Sequence, residues 1–217
     1  LSGVLFQIKN NSILSVSTDG HRLVKYIRYG LNINIDRDVI IPKKFLSLIS
    51  SNISQAENIN LYINENQVIV EVGNDVFYSR VIDERFPDFE SVIPKDNNKE
   101  LIVNRLDLLS TVKRVSVLSN KTTRQIALNL TKDNIKITTE DNEKSSKGFE
   151  NIIGGFTGED LIIGYNAAYL KDILSHLTTD EIIIKLNSSI SAGLFYPKEQ
   201  LKDSDLTMLL MPIRLNN

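Results

Sequence analysis

Leu101 to Asn120 reads LIVNRLDLLSTVKRVSVLSN and contains the repeating plan of the chain. Leu101-Ile102-Val103 is a β-rich run. Asn104 is a residue type that caps a helix by accepting from its free N–H groups. From Arg105 to about Leu118, apolar residues recur three and four apart, so Leu106, Leu108, Leu109, Val112 and Val115 are expected on one stripe with Lys113 and Arg114 off it. The same unit occurs twice more, with starts about sixty residues apart: Val39-Ile40-Ile41, Pro42 and a helix Lys43 to Ser51, then Leu161-Ile162-Ile163, Asn166 and a helix Ala167 to Leu177. Proline fits a helix's first turn because the N–H it lacks would be unpaired there. Each helix is followed by alternating runs around turn residues, as at Ile126 to Leu130 and Ile135 to Ile137 about Asp133-Asn134. The pattern predicts an α+β fold of repeated strand-helix-strands units, with helices on one face of antiparallel sheets. Leu1 to Ile35 reads as the strands of a fourth unit without its helix. The chain opens without methionine in the middle of a sheet, which suggests a fragment.

The chain has 217 residues, 41% of them hydrophobic, enough for one large or two ordinary domains. The polar stretch Pro87 to Glu100 reads as a linker, with domains expected over 1–97 and 98–217. No apolar run approaches the roughly 20 residues of a membrane span. Cysteine is absent, which removes disulfides, thiolate chemistry and cysteine-based zinc sites. The net charge of −2 is not that of a strongly basic nucleic-acid binder, but its distribution is uneven. Helical stretches 43–51, 104–121 and 166–177 carry Lys43, Lys44, Arg105, Lys113, Arg114, Lys121 and Lys171 against Asp107 and Asp172, a net +5 against −7 elsewhere. That bias suits helices facing phosphate. Glu140 to Lys147 could be offered as a cation site, but its composition reads as a hairpin loop.

Two stretches stand apart from the repeat. Ser17 to Val24, STDGHRLV, is a corner between strands in which Asp19-Gly20 is a tight-turn dipeptide. Taken alone, its His21 and Arg22 read as exposed hairpin residues. Leu209 to Leu215, LLMPIRL, is an apolar run cut by a proline, which puts it at a strand end and on a tail docked against its own domain.

TDGHRL, RFPDFESVIP at Arg85 to Pro94, VLSN at Val117 to Asn120 and the terminal MPIRL together resemble, in order, the bacterial sliding clamp family, the beta subunit of DNA polymerase III. The likeness covers most of the second and all of the third of that family's three domains, the second lacking its opening helix and strand. It implies the DNA-clamp fold, two subunits closed head to tail as a homodimer ring around duplex DNA without sequence preference, and no cofactor or metal. It also implies a processivity role in a bacterial cytoplasm, with linear peptides of the replicative polymerase alpha subunit, the clamp loader and other clamp-binding proteins docking between the second and third domains. The implied groove residues are Leu1, Thr18, Gly20, His21, Arg22 and Leu23, then Pro87 and Val92, Asn166 and Tyr169, Ile190 and Ala192, and finally Leu209, Leu210, Met211, Pro212, Ile213 and Arg214. DNA-facing residues would be Lys43, Lys44, Lys113, Arg114, Lys121, Arg124 and Lys171, and the dimer interface would hold Val117 and Leu118. Ser91 stands where the family pattern expects arginine, and Thr123 where it expects an aromatic.

For catalysis the inventory is thin. Histidines are limited to His21 and His176, with no glycine-rich phosphate loop, HExxH or nucleophile elbow. His176 falls late in a helix, where the helix end favours it. The competing readings are a small hydrolase or phosphoesterase using Asp19 and His21, and a peptide-binding module without a DNA role. A non-catalytic binding protein is the expectation.

Overall fold

The computed structural model describes residues 2–33, 35–53 and 58–215. They form two units, Leu1–Ser17 with Lys25–Phe89 and Asp203–Asp205, and Thr18–Val24 with Glu90–Lys202 and Leu206–Asn217.

In the first unit, β1 (Gly3–Lys9), β2 (Ser12–Thr18), β3 (Arg22–Tyr29) and β4 (Arg37–Pro42) lie in the order β3-β2-β1-β4. β1 pairs antiparallel with both β2 and β4, Leu5 opposite Val16 and Val4 opposite Ile41. Pro42 leads directly into α1 (Lys43–Asn52), whose Phe45 and Ile49, four apart, are its buried face. Next come β5 (Ile59–Ile63), β6 (Gln67–Val72) and β7 (Asp75–Arg80), a three-stranded sheet. Alternation in β6 buries Val68, Val70 and Val72, which join Ile8, Val39, Ile41, Phe45 and Ile49 in one core.

The second unit contains β8 (Lys99–Asn104), α2 (Arg105–Val115), β9 (Gln125–Thr131), β10 (Asn134–Asp141), β11 (Ser146–Ile153) and β12 (Gly155–Thr157). It continues through β13 (Leu161–Asn166), α3 (Ala167–His176), β14 (Glu181–Leu186), β15 (Gly193–Pro197) and β16 (Ser204–Leu210). The strand orders are β12-β8-β14-β15-β16 and β11-β10-β9-β13. Helices α2 and α3 pack on each other and close one core through Leu108, Leu109, Val112, Val115, Leu170, Ile173 and Leu174. The Asn104 side chain accepts from Asp107 N–H, and that of Asn166 from Ala168 and Tyr169, so both caps act as their residue type suggests. Glu140 to Lys147 spans the β10–β11 hairpin, with Asp141 opposite Ser146.

Two details of α2 differ from the sequence pattern. Leu106 is 53% exposed rather than on the stripe, because at 3.6 residues per turn it points nearly opposite Leu108, which is fully buried. The α-helix also ends at Val115, followed by a 3₁₀ turn at Ser116–Leu118, so Lys121 lies in a loop. Ser119 Oγ donates to Ser116 O (2.7 Å), and the Asn120 side chain accepts from Thr122 and Thr123 N–H while donating to the buried Asp141 carboxylate (3.3 Å). Those side-chain bonds offer the backbone an alternative to further helix.

Candidate functional site

Between β2 and β3 the chain turns on its own side chains. Thr18 Oγ1 donates to Arg22 O (2.8 Å) and accepts from Gly20 N–H (3.1 Å), while Asp19 Oδ1 accepts from the backbone N–H of His21 and of Arg22, both at 3.0 Å. Gly20 has φ +86°, a region open to glycine and costly for a residue with Cβ. The turn therefore projects His21 and Arg22 in a defined direction. Arg22 Nε donates to Asp19 Oδ2 (2.9 Å) and Nη1 to Asp172 Oδ2 on α3 (2.5 Å), which holds the guanidinium carbon 4.7 Å from the centre of the Tyr169 ring. His21 stacks on that ring at 5.7 Å and 23°. Partial burial works against the charged form of Asp19, but the Arg22 side-chain bond and the two backbone N–H donors outweigh it and hold the carboxyl below its ordinary range. Asp172 also aligns the other histidine, since its backbone O lies 2.8 Å from His176 Nδ1.

The tail meets the corner through its backbone. Met211 N–H donates to His21 O and Ile213 N–H to Gly164 O, both at 2.8 Å. Gly164 permits this approach, because a Cβ there would stand 2.6 Å from Ile213 O and 2.7 Å from the Leu215 side chain. Thr18, Gly20, His21, Arg22, Asn166, Tyr169, Met211 and Ile213 are thus gathered by bonds, ring contacts and caps within one unit. Pro212 is half-buried, Met211 is 42% exposed, and Arg214 is exposed. Leu23, Ala192, Leu209 and Leu210 are buried, so their side chains are not on the surface of the unit. Val92 and Ile190 are exposed apolar residues of the same unit, and no described contact ties them to the corner. Pro87 is exposed in the first unit, and Leu1 lies outside the described residues. Ser91 lies in a 3₁₀ turn at Glu90–Val92, and Thr123 is exposed with its carbonyl accepting from Asn166 Nδ2 (3.3 Å).

Sequence reasoning left Gly164 and Asp172 without a role. A glycine inside the strand run Leu161 to Tyr165 signals close backbone approach, and Asp172 stands three residues after Tyr169 on one helix face.

The helix cations divide by what they touch. Lys43, Lys44 and Lys113 are exposed. Arg105 is engaged internally, Nε donating to Thr179 O (2.9 Å) and Nη1 to Leu174 O (3.2 Å). Arg114 is paired with Glu150 on β11, with Nε 3.0 Å from Oε2, and this hydrogen bond holds the Glu150 carboxyl below its usual range. Two of the seven charges behind the helix bias are therefore committed within the fold. Lys121, Arg124 and Lys171 line a cavity of about 260 Å³. Val117 is 80% and Leu118 40% exposed; Leu118 lies against Gly148 on β11, the outer strand of its sheet, where Phe149 (62%) and Ile153 (89%) are also exposed. No helix among the described residues is long and apolar enough to cross a membrane.

Residues 90–214 match the family model for the C-terminal domain of the DNA polymerase III beta subunit, and residues 1–88 match the model for its central domain. The beta sliding clamp of Haemophilus influenzae is 32% identical over 221 residues, covering 99% of this chain and 58% of that protein. The Pseudomonas putida protein of the same name is 30% identical over 217 residues with the same coverage. Among solved structures, the Pseudomonas aeruginosa sliding clamp bound to griselimycin superposes with TM-score 0.89 at 29% identity, covering 99% of this chain and 57% of that one. The Bacillus subtilis clamp gives 0.92 at 26%, again covering 99% and 57%. The chain spans about 58% of the length of the curated relatives it matches. It belongs to the DNA polymerase III beta subunit family, with the fold of the DNA sliding clamps.

Proposed function

We propose that this chain is the peptide-receiving part of a bacterial sliding clamp: a non-catalytic processivity factor in the cytoplasm whose ring encircles duplex DNA and holds the replicative polymerase and the clamp loader by short linear peptides. The observation that carries the reading is that the corner packs on Tyr169 of α3 while the tail bonds to that corner and to β13, which brings apolar side chains and a few fixed polar groups together. Griselimycin, bound by the Pseudomonas aeruginosa relative, is the kind of ligand such a site would take. Tethering keeps a dissociated polymerase at high effective concentration near its template. Lys43, Lys44 and Lys113, exposed on helices, supply the sequence-independent phosphate contact. Val117 and Leu118, exposed beside the outer strand β11, are the surface that joins a second subunit in the homodimer ring. No cofactor or metal enters this role.

A hydrolase or phosphoesterase centred on Asp19 and His21 is not supported. Asp19 is occupied by three donors at 2.9 to 3.0 Å, and His21 is stacked on Tyr169.

A peptide burying two or three apolar side chains gains roughly 1.5 to 3 kcal/mol for each one fully buried, less the cost of ordering it. Micromolar affinity, about −8 kcal/mol, follows. Calorimetric titration with a glutamine-and-leucine-rich clamp-binding peptide should give that affinity for the intact chain and none after deletion of residues 211–217. Equal affinities would remove the tail from the site.

A further inference from the structure

Beside the groove lies a concentration of positive charge that the peptide's apolar anchors do not use. Lys121, Arg124 and Lys171 line one cavity of about 260 Å³ together with Ser116, Ser119 and the first residues of α3, and no acidic side chain lines it. Among the described residues none of the three cations makes an ion pair. Two of them are held in place. Lys171 Nζ rests on Ser116 Oγ at 3.3 Å. Arg124 has φ +49°, a left-handed conformation unusual for a residue with a side chain. Its N–H donates to Asn120 O and its C=O accepts from Ala167 N–H, both at 2.8 Å. Asn120 is in turn tied to the buried Asp141. The first N–H groups of α3 are already taken, by Arg124 O and by the Asn166 side chain, so the binding donors here are the three side chains. The helix dipole adds to their potential.

The cavity and the groove share helix α3, whose Ala167, Ala168 and Lys171 line the one and whose Tyr169 belongs to the other. Asn166 caps α3, supports Tyr169, and donates to Thr123 O at the cavity's edge (3.3 Å), while Ala167 and Ala168 belong to the cavity wall. Like charges that share one cavity without an acidic partner repel one another until an anion joins them, and then bind it by charge-assisted hydrogen bonds. A concave site lined by cations fits a compact anion, whereas DNA that slides calls for shallow, interchangeable contacts.

We propose that this cavity is an anion subsite of the peptide groove, taking the carboxylate of an acidic residue that flanks the apolar anchors of a docked peptide. The proposal rests on the groove reading above. Three labelled peptides with identical anchors test it by fluorescence anisotropy on the 217-residue chain: one with neutral flanks, one with glutamate before the anchors, and one with glutamate after them. One acidic peptide should bind on the order of five- to tenfold more tightly than the neutral one at low salt. Arg124→Gln, and separately Lys121→Ala, should erase that advantage while leaving the neutral peptide's affinity unchanged. Neutral and acidic peptides binding alike would overturn the subsite and leave the groove standing. Binding of none of the three would remove groove and subsite together. An acidic advantage that survives both substitutions would place the carboxylate elsewhere. If a short DNA duplex displaces the acidic peptide from the unmodified chain but not from Arg124→Gln, the cavity belongs to phosphate and the proposal falls.

Discussion

The corner at Thr18 to Arg22 and the tail at Met211 to Leu215 wall the same site by opposite means. In the corner nearly every bond is local: Thr18 and Asp19 bind backbone groups within four residues, and Gly20 supplies the one left-handed residue. The tail has no comparable internal order. Its place depends on two backbone bonds to distant partners, His21 O and Gly164 O, and on a glycine that leaves room for it. A polar turn can be specified by its own side chains, whereas an apolar tail is ordered only once the surface that receives it exists.

That contrast can be broken most forcefully at Gly164. Valine there would put carbon atoms where Ile213 O and Leu215 now sit, and relief by moving the tail is easier than relief by moving β13. Gly164→Val should abolish peptide binding as completely as the deletion does, with an overpacking cost of about 1–3 kcal/mol if the tail stays. Hydrogen exchange at the Ile213 amide is the direct measure: retained protection would mean that the tail is not held as described.

A smaller effect is expected from the corner. Asp19→Ala removes acceptors for two backbone N–H groups and one of the two carboxylates on Arg22, but leaves Asp172 in place. By analogy with loss of a helix cap the cost is about 1 kcal/mol, so peptide affinity should fall about fivefold. Urea unfolding and the same titration report both. A loss as large as that of the tail deletion would erase the distinction between the two walls.

The smallest effect is on pH dependence. The Asp19 carboxyl is held below its ordinary value in the folded chain. Its contribution to stability is therefore complete above the unfolded value of about 3.9, and it is lost as pH falls through the depressed folded value. The difference in urea midpoint between the unmodified chain and Asp19→Ala should be constant from about pH 5 to 7 and shrink in stronger acid. A difference that grows on acidification would contradict the sign of this linkage.

Most of the fold was legible from local chemistry. Asn104 and Asn166 cap the helices where their residue type suggests, Pro42 opens α1, and turn residues divide the strands. The site was legible less through the physics of single residues than through the resemblance of the corner and tail to a family pattern. Taken alone, STDGHRLV reads as an ordinary exposed hairpin. The α-helix of α2 stops short of the apolar pattern because Asn120 finds Asp141 on β10.

Sequence by itself determined the repeating units, their capped helices and the polar corner, because propensity, capping and turn chemistry act over a few residues. Only the tertiary structure decided which cations are free. Arg105 and Arg114 count as helix charges in the sequence, yet folding commits one to the carbonyls of Leu174 in α3 and Thr179 just beyond it and the other to Glu150 on β11, while Lys121, Arg124 and Lys171 are left facing one cavity. It also decided that Gly164 would meet the tail and that Asp172 would hold Arg22 over Tyr169. A charge, a glycine or a carboxylate acquires its role from neighbours far along the chain, and those neighbours are set by the packing of whole sheets and helices.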